Sequence, residues 1–257
     1  MIKTFLMQLK FLTRFPFFKV EFDEERFARG IIFAPVIGLL IGGVYAGLYL
    51  ALSALGNDVV TAIVLVFAGV VITGGLHIDG LADTCDGLFS GRGRERILEI
   101  MKDSRIGTNG TIGIILLLGF KVILFASLGK IYFLYYLLVF PVIARNNIVI
   151  ASGISKYARE ENGMGRSIVN RTGIKEMVIS SIMTLVICIP ILRIESIVYL
   201  FACTAFVLLF TSYVKFKIGG ITGDIIGAII ELSEVIFLAT AFVIESPLFR
   251  EIWSYIF

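Results

Sequence analysis

The chain is short of almost everything a water-soluble protein uses on its surface. Asp, Glu, Lys and Arg together make up 17% of its 257 residues, and there is one histidine. Soluble domains carry about 25% charged residues, so a globule facing water on all sides is excluded. A disordered chain is excluded as well, because 58% of the residues are hydrophobic and 22 are Phe, the opposite of a weakly apolar, highly charged composition. Three cysteines, Cys85, Cys188 and Cys203, without a CxxC spacing offer neither a disulfide framework nor a zinc site, and read as small buried hydrophobes. A net charge of +3 is too weak to imply a nucleic-acid partner. The start of the chain lacks the small-residue cleavage site of a signal peptide, and Lys10 and Arg14 interrupt its apolar run.

What the chain has in abundance is long apolar runs, at a mean hydropathy of +0.94. Ile31 to Leu55 and Val59 to Leu76 flank the turn-prone Gly56-Asn57-Asp58 and read as two antiparallel spanning helices. Gly110 to Gly129, Ile131 to Ser152, Met177 to Leu192, Ser196 to Val214 and Ile225 to Ile244 follow. The last is the weakest, since Glu231 and Glu234 lie inside it. The expected architecture is therefore all-α: one polytopic membrane helix bundle over residues 1–257, with about seven spans. Ahead of them Ile2, Phe5, Leu6, Leu9 and Leu12 recur at helical spacing opposite Lys3, Lys10 and Arg14. That pattern predicts an amphipathic helix, lying in the lipid interface or on the bundle's own surface.

Basic residues sort sharply among the loops. Residues 1–30 hold six, the 77–109 stretch five, 145–176 six and 215–224 two, against Lys130, Arg193 and Arg250 on the opposite side, with Lys121 inside a span. Nineteen against three predicts a multi-pass protein of the cell membrane with its N-terminus and three polar loops in the cytoplasm.

The densest chemical signal is His77-Ile78-Asp79-Gly80-Leu81-Ala82-Asp83-Thr84-Cys85-Asp86-Gly87. Asp79, Asp83 and Asp86 stand at i, i+4 and i+7, which puts three carboxylates on one helical face within about 10 Å of axis. Two carboxylates about 6 Å apart repel by roughly 3 kcal/mol at an effective dielectric of 20, so the group must protonate or bind cations. Hard oxygen donors without thiolates or a histidine cluster favour Mg²⁺, with Mn²⁺ as substitute, over zinc. His77 heads this segment and is a candidate proton acceptor.

A second acidic group follows Gly219-Gly220-Ile221-Thr222-Gly223, where Asp224 and Glu231 share a helix face at i and i+7. Its carboxylates must point into the bundle or to its mouth. Between the two groups, Ser90-Gly91-Arg92-Gly93-Arg94 and Met101-Lys102-Asp103-Ser104-Arg105-Ile106-Gly107-Thr108-Asn109-Gly110 set arginine beside glycine-freed amides, a combination suited to phosphate oxygens. Arg145, beside Asn146 and Asn147 in an apolar run, is an intramembrane charge and hence a functional candidate.

Taken with Phe11-Leu12-Thr13-Arg14-Phe15-Pro16 and Gly220-x-Thr222-Gly223-Asp224-x-x-Gly227-Ala228-x-x-Glu231, these motifs resemble the cobalamin synthase family, the adenosylcobinamide-GDP ribazoletransferases, in order, spacing and total length. The resemblance implies a membrane-embedded, Mg²⁺-dependent enzyme that joins adenosylcobinamide-GDP to α-ribazole or α-ribazole 5′-phosphate and releases GMP. The ribazole 5′-hydroxyl is the expected nucleophile. Asp79, Asp83, Asp86, Asp224 and Glu231 are then the expected metal ligands. Asp83, Asp86, Glu231 and His77 are the expected catalytic groups, and Arg92, Asp103, Arg105 and Arg145 the expected substrate contacts. Membrane lipid surrounds such a protein, and the number of subunits, a homo-oligomer included, stays open. Two rivals remain at this point: an ion-coupled transporter using intramembrane carboxylates, and a non-catalytic membrane scaffold.

Overall fold

A computed structural model of the chain describes residues 1–14, 20–161, 163–247 and 249. Phe15 and Pro16 of the N-terminal motif, together with Lys19 and Arg250, lie outside the described residues. Twelve α-helices are formed among the described residues: α1 (Ile2–Leu12), α2 (Glu24–Arg29), α3 (Ala34–Leu52), α4 (Asp58–Thr73), α5 (Leu76–Leu88), α6 (Arg94–Ile100), α7 (Thr108–Ser127), α8 (Lys130–Gly153), α9 (Met164–Arg171), α10 (Ile174–Leu192), α11 (Ser196–Ile218) and α12 (Gly223–Glu245).

Five stretches are long and apolar enough to cross a membrane, or six if the bent pair α4 and α5 counts as one. One of the five, Ile174–Ile218, is 45 residues long, about 67 Å as a straight helix, more than twice a hydrocarbon core. It folds back at Arg193, where φ is 51°, into α10 and α11. Two neighbouring side chains of α8 hold the two legs together: Asn146 accepts from Ser180 of α10 at 2.7 Å, and Asn147 donates to the Cys203 carbonyl of α11 at 3.0 Å. The legs α3, α4, α7, α8, α10, α11 and α12 coincide with the seven apolar runs to within a few residues.

Helix α8 is the axis of the bundle, with Val139 to Val149 buried without a break. Glycine lets α3 reach it. A Cβ at Gly38 would sit 2.4 Å from the Pro141 carbonyl oxygen, and one at Gly42 2.5 Å from that of Leu138, so this four-residue glycine spacing brings the two backbones into contact. Helix α1 buries Met7, Leu9 and Leu12, and Gln8 donates to the Phe27 carbonyl. By these contacts α1 packs on the bundle's own surface. Cys188 and Cys203 are buried and unpaired, as expected.

The polar segments gather at one end. Ala158 and Ile221 join the α8–α9 and α11–α12 connections by a backbone hydrogen bond of 2.9 Å, Lys102 pairs with Glu161, and Ser167 of α9 donates to Glu24 at 2.6 Å. At the other end Lys130 pairs with Asp58 at 3.1 Å, and the Gly129 amide donates to Glu245 at 2.6 Å.

Candidate functional site

The site is built by a bend. Gly74 and Gly75 both hold left-handed φ, 63° and 72°, a conformation open to glycine at little cost, and through them α4 turns by 91° into α5. Helix α5 lies past this bend, across the starts of α7 and α12. Two glycine contacts bring α5 onto α12: a Cβ at Gly80 would lie 2.7 Å from the Asp224 carbonyl oxygen, and one at Gly227 3.1 Å from that of His77. This crossing sets Asp79 and Asp83 of α5 beside Asp224, the second residue of α12. Sequence-distant acids are thereby gathered at one mouth.

The charges at this mouth are poorly balanced. Burial, then the carboxylates of Asp224 and Asp79, push Asp83 up to about 7. The balancing cation is Arg159, whose Nη2 lies 2.8 Å from Asp224, and Thr222 donates to the same oxygen at 3.2 Å. Arg159 keeps a buried Nε–H without a partner. This arginine was not singled out in the sequence, where it stands in an ordinary-looking run, Lys156-Tyr157-Ala158-Arg159-Glu160-Glu161. The parallel bridge between Tyr157 and Ile221 is what carries it to Asp224.

Asp86 shares the acidic face but does different work. It accepts the amides of Gly107 at 2.7 Å and Gly110 at 2.8 Å, capping the start of α7. A Cβ at either glycine would come within 2.4 or 2.5 Å of this carboxylate. Two of the glycine-freed amides expected to receive phosphate, those of Gly107 and Gly110, are therefore occupied by a carboxylate of the chain itself. In the same loop Arg105 grips Asp103 through Nε at 3.0 Å and Nη2 at 2.6 Å, and these bonds hold the Asp103 carboxyl down at about 2. Arg92 is exposed and makes no salt bridge among the described residues.

Glu231 and Arg145 leave the mouth altogether. Lys121 lies 2.5 Å from Glu231 and 2.6 Å from Glu234, and Arg145 pairs with Glu234. All four residues are at most 7% exposed. Glu231 stands two turns, about 10 Å, deeper along α12 than Asp224. In place of the expected position beside Asp83, Glu231 lies in a buried, charge-neutral network, and Arg145 is paired within the same network. His77 is buried on the flank of α5 turned toward α12, its Nε2 without a hydrogen-bond partner, rather than on the acidic face. The transporter reading loses its footing here, since the intramembrane acids of α12 are already neutralised by Lys121 and Arg145.

A family model described as cobalamin-5-phosphate synthase matches residues 4–242. The chain belongs to that family. Curated relatives carry the name adenosylcobinamide-GDP ribazoletransferase: one from Acetivibrio thermocellus is 42% identical over 241 residues, covering 92% of this chain and 96% of its own length. Another from Clostridium novyi is 36% identical over 238 residues, covering 92% and 95%, and one from Fusobacterium nucleatum is 33% identical over 277 residues, covering 95% and 99%. No solved structure matches the chain.

In this cobalamin-5-phosphate synthase family member three carboxylates of the mouth stand against one arginine. Among the described residues no three His, Cys, Asp or Glu side chains converge as metal ligands. Mg²⁺ is commonly held by one or two carboxylates, completed by water and substrate phosphates. Asp79 and Asp83 on one helical face, with the Asp224 carboxylate beside them and one arginine against three acids, meet that requirement.

Proposed function

We propose that this chain transfers the adenosylcobinamide phosphate part of adenosylcobinamide-GDP to α-ribazole or α-ribazole 5′-phosphate, releasing GMP, with the mouth formed by α5 and α12 as the active site. The observation that carries the reading is the meeting of Asp79, Asp83, Asp224 and Arg159 at the polar end of a chain that aligns over nine-tenths of its length with ribazoletransferases. Asp79 and Asp83 would hold Mg²⁺, or Mn²⁺ in its place, which offsets charge on the diphosphate. Arg159 turns its free Nε–H to a diphosphate oxygen, and its hold on Asp224 loosens. Asp224 then takes the proton of the attacking hydroxyl. The new P–O bond forms at the phosphorus bearing the cobinamide arm, and the bond to the bridging oxygen breaks in line as GMP departs. Arg92 meets the nucleotide phosphate from the solvent side.

The 5′-hydroxyl expected from the sequence does not suit both acceptors. In α-ribazole 5′-phosphate that oxygen is already esterified, and the family's description names a 5-phosphate product. One site serving both acceptors therefore uses a ribose ring hydroxyl as nucleophile. The nineteen-to-three distribution of basic residues supports placing this mouth in the cytoplasm, where a corrinoid and a nucleotide arrive from water, with lipid around the spanning legs.

The test is direct. Purified protein incubated with adenosylcobinamide-GDP, either acceptor and Mg²⁺ should release GMP and a cobamide in equal amounts, and chelation should stop it. Intact adenosylcobinamide-GDP after incubation with both acceptors and either cation would overturn the reading.

A further inference from the structure

The sequence points to His77 as a catalytic group, yet its side chain is buried off the acidic face, and the proposed chemistry leaves it without a role. It stands two residues after Gly75, in the first turn of α5, just past the bend that aims Asp79 and Asp83. Its backbone is already clamped, since a Cβ at Gly227 would lie 3.1 Å from its carbonyl oxygen and 3.2 Å from its Cα. Its imidazole hydrogen-bonds to the backbone carbonyl of Leu12, the last residue of α1, while Nε2 has no partner. The bond is therefore made by Nδ1, with the ring proton on that nitrogen.

The Leu12 carbonyl needs such a donor. The last four carbonyls of a helix have no partner within it, and the residue four places on, Pro16, has no N–H to offer. On the near side of the bend the arrangement is reciprocal: Ile72 presents a carbonyl from the last turn of α4, and the Arg14 amide donates to it at 2.6 Å. The end of α1 is thus laced to both sides of the bend, to Ile72 before the two left-handed glycines and to His77 after them. A pair of glycines sets no angle of its own. Asp86 holds the far end of α5, and the contacts at Gly80 and Gly227 stop α5 from coming nearer to α12 but not from swinging away. With the near end freed, Asp79, about 10 Å from Asp86 along the axis, would move about 1 Å for each 6° of swing, roughly. Misplacement on that scale costs about a hundredfold in rate where reacting groups must be aligned.

We propose that His77 is a positioning residue, which through its bond to the Leu12 carbonyl fixes the angle between α4 and α5 and so keeps Asp79 and Asp83 in reach of Asp224. It touches neither substrate nor metal and moves no proton in the reaction. The imidazole serves for its shape: it sets an N–H two bonds from Cβ, a reach that the amide of asparagine shares and that of glutamine, one bond longer, does not. The end of α1, which carries no acid of the site, thereby takes part in setting the site's geometry. The kinetic consequence rests on the transferase reading, whereas the geometric one stands apart from it.

Two measurements decide it. His77→Leu and His77→Gln should each lower kcat for GMP release about thirtyfold at saturating Mg²⁺, with KM for both substrates within about twofold of wild type, and His77→Asn should keep kcat within about threefold. A group that transfers a proton would leave His77→Asn as slow as His77→Leu, and that result overturns the proposal. So does a near-normal kcat in His77→Gln, which would make the bond dispensable. The geometry is read without turnover, by pairing Asp83→Cys with Asp224→Cys in a Cys85→Ala background and timing their crosslinking by a short bismaleimide. Adding His77→Leu or His77→Gln should slow the crosslink about fivefold, and adding His77→Asn should leave it fast. An unchanged rate in all three overturns the proposal as well. Should His77→Leu fail to fold, the comparison of His77→Gln with His77→Asn, both polar, gives the same answer. Wild-type protein that releases no GMP would instead sink the transferase reading, and the crosslinking would still decide the role of His77.

Discussion

Two acidic groups meet helix α12 two turns apart, and they are built on opposite principles. At the start of α12, Asp224 faces Asp79 and Asp83 across a glycine contact with Arg159 as balancing cation. Deeper in, Glu231 and Glu234 face Lys121 and Arg145, charge for charge, and are sealed from solvent. Carboxylates left in excess are strained by their own repulsion and gain from an arriving cation. Carboxylates matched in a low-dielectric interior gain nothing from one and lose a great deal if a partner is removed. The first arrangement suits chemistry, the second suits holding helices together.

That contrast breaks most visibly at Asp83. Asp83→Asn should cut GMP release by about a thousandfold or more, the scale of losing a group that acts on the transition state, while the thermal unfolding midpoint in detergent stays level or rises. Near-normal turnover at limiting Mg²⁺ would return Asp83 to a structural role. The buried group should show the reverse pattern. Lys121→Met leaves two glutamates facing one arginine and should cost about 3–5 kcal/mol of stability. Adding Glu231→Gln to it should recover part of the loss, and a midpoint equal to wild type in Lys121→Met would dissolve the network as described.

Double variants sharpen the boundary between the two groups. Asp83→Asn with Asp224→Asn should be hardly slower than Asp83→Asn alone, as for residues acting as a unit. Asp83→Asn with Glu231→Gln should show the turnover loss of the first and the stability loss of the second, added independently. Strong coupling in turnover between Asp83 and Glu231 would put the buried acid back into the active site. The smallest expected effect is at Asp86. Asp86→Ala removes the cap of α7 and should lower stability by about 1 kcal/mol, with turnover falling far less than in Asp83→Asn.

The fold was legible because bilayer thickness imposes a length that no single residue decides, and every apolar run but that of α4, which reaches it only together with α5, met it. The site was half legible. The period-seven spacing of Asp79, Asp83 and Asp86 showed a common face, whereas the close approach of α5 and α12 at Gly80 and Gly227 came only with the structure. The sequence did not reveal that the amides of Gly107 and Gly110 were reserved for Asp86, or that Glu231 answers Lys121 from 110 residues away. Both are settled by which helices lie side by side. Arg159 was hidden for the same reason, because only the short bridge from Tyr157 to Ile221 aims it.

Helix α7 is tied both to α5 and to the buried acids of α12, and this gives the molecule a fixed internal ruler. Its first turn is tied to α5 through Asp86, and Lys121, fourteen residues after Gly107 and thus about 21 Å along the axis, is tied to α12. Because α5 also rests on α12, the three helices close a triangle whose sides are set by covalent length and cannot stretch separately. A slip of α7 by a single residue would rotate Lys121 away from its glutamates by about 100° and draw the Asp86 cap off its amides at the same moment. The rigid struts of this triangle, rather than any individual contact at the mouth, keep Asp79, Asp83 and Asp224 within reach of one another.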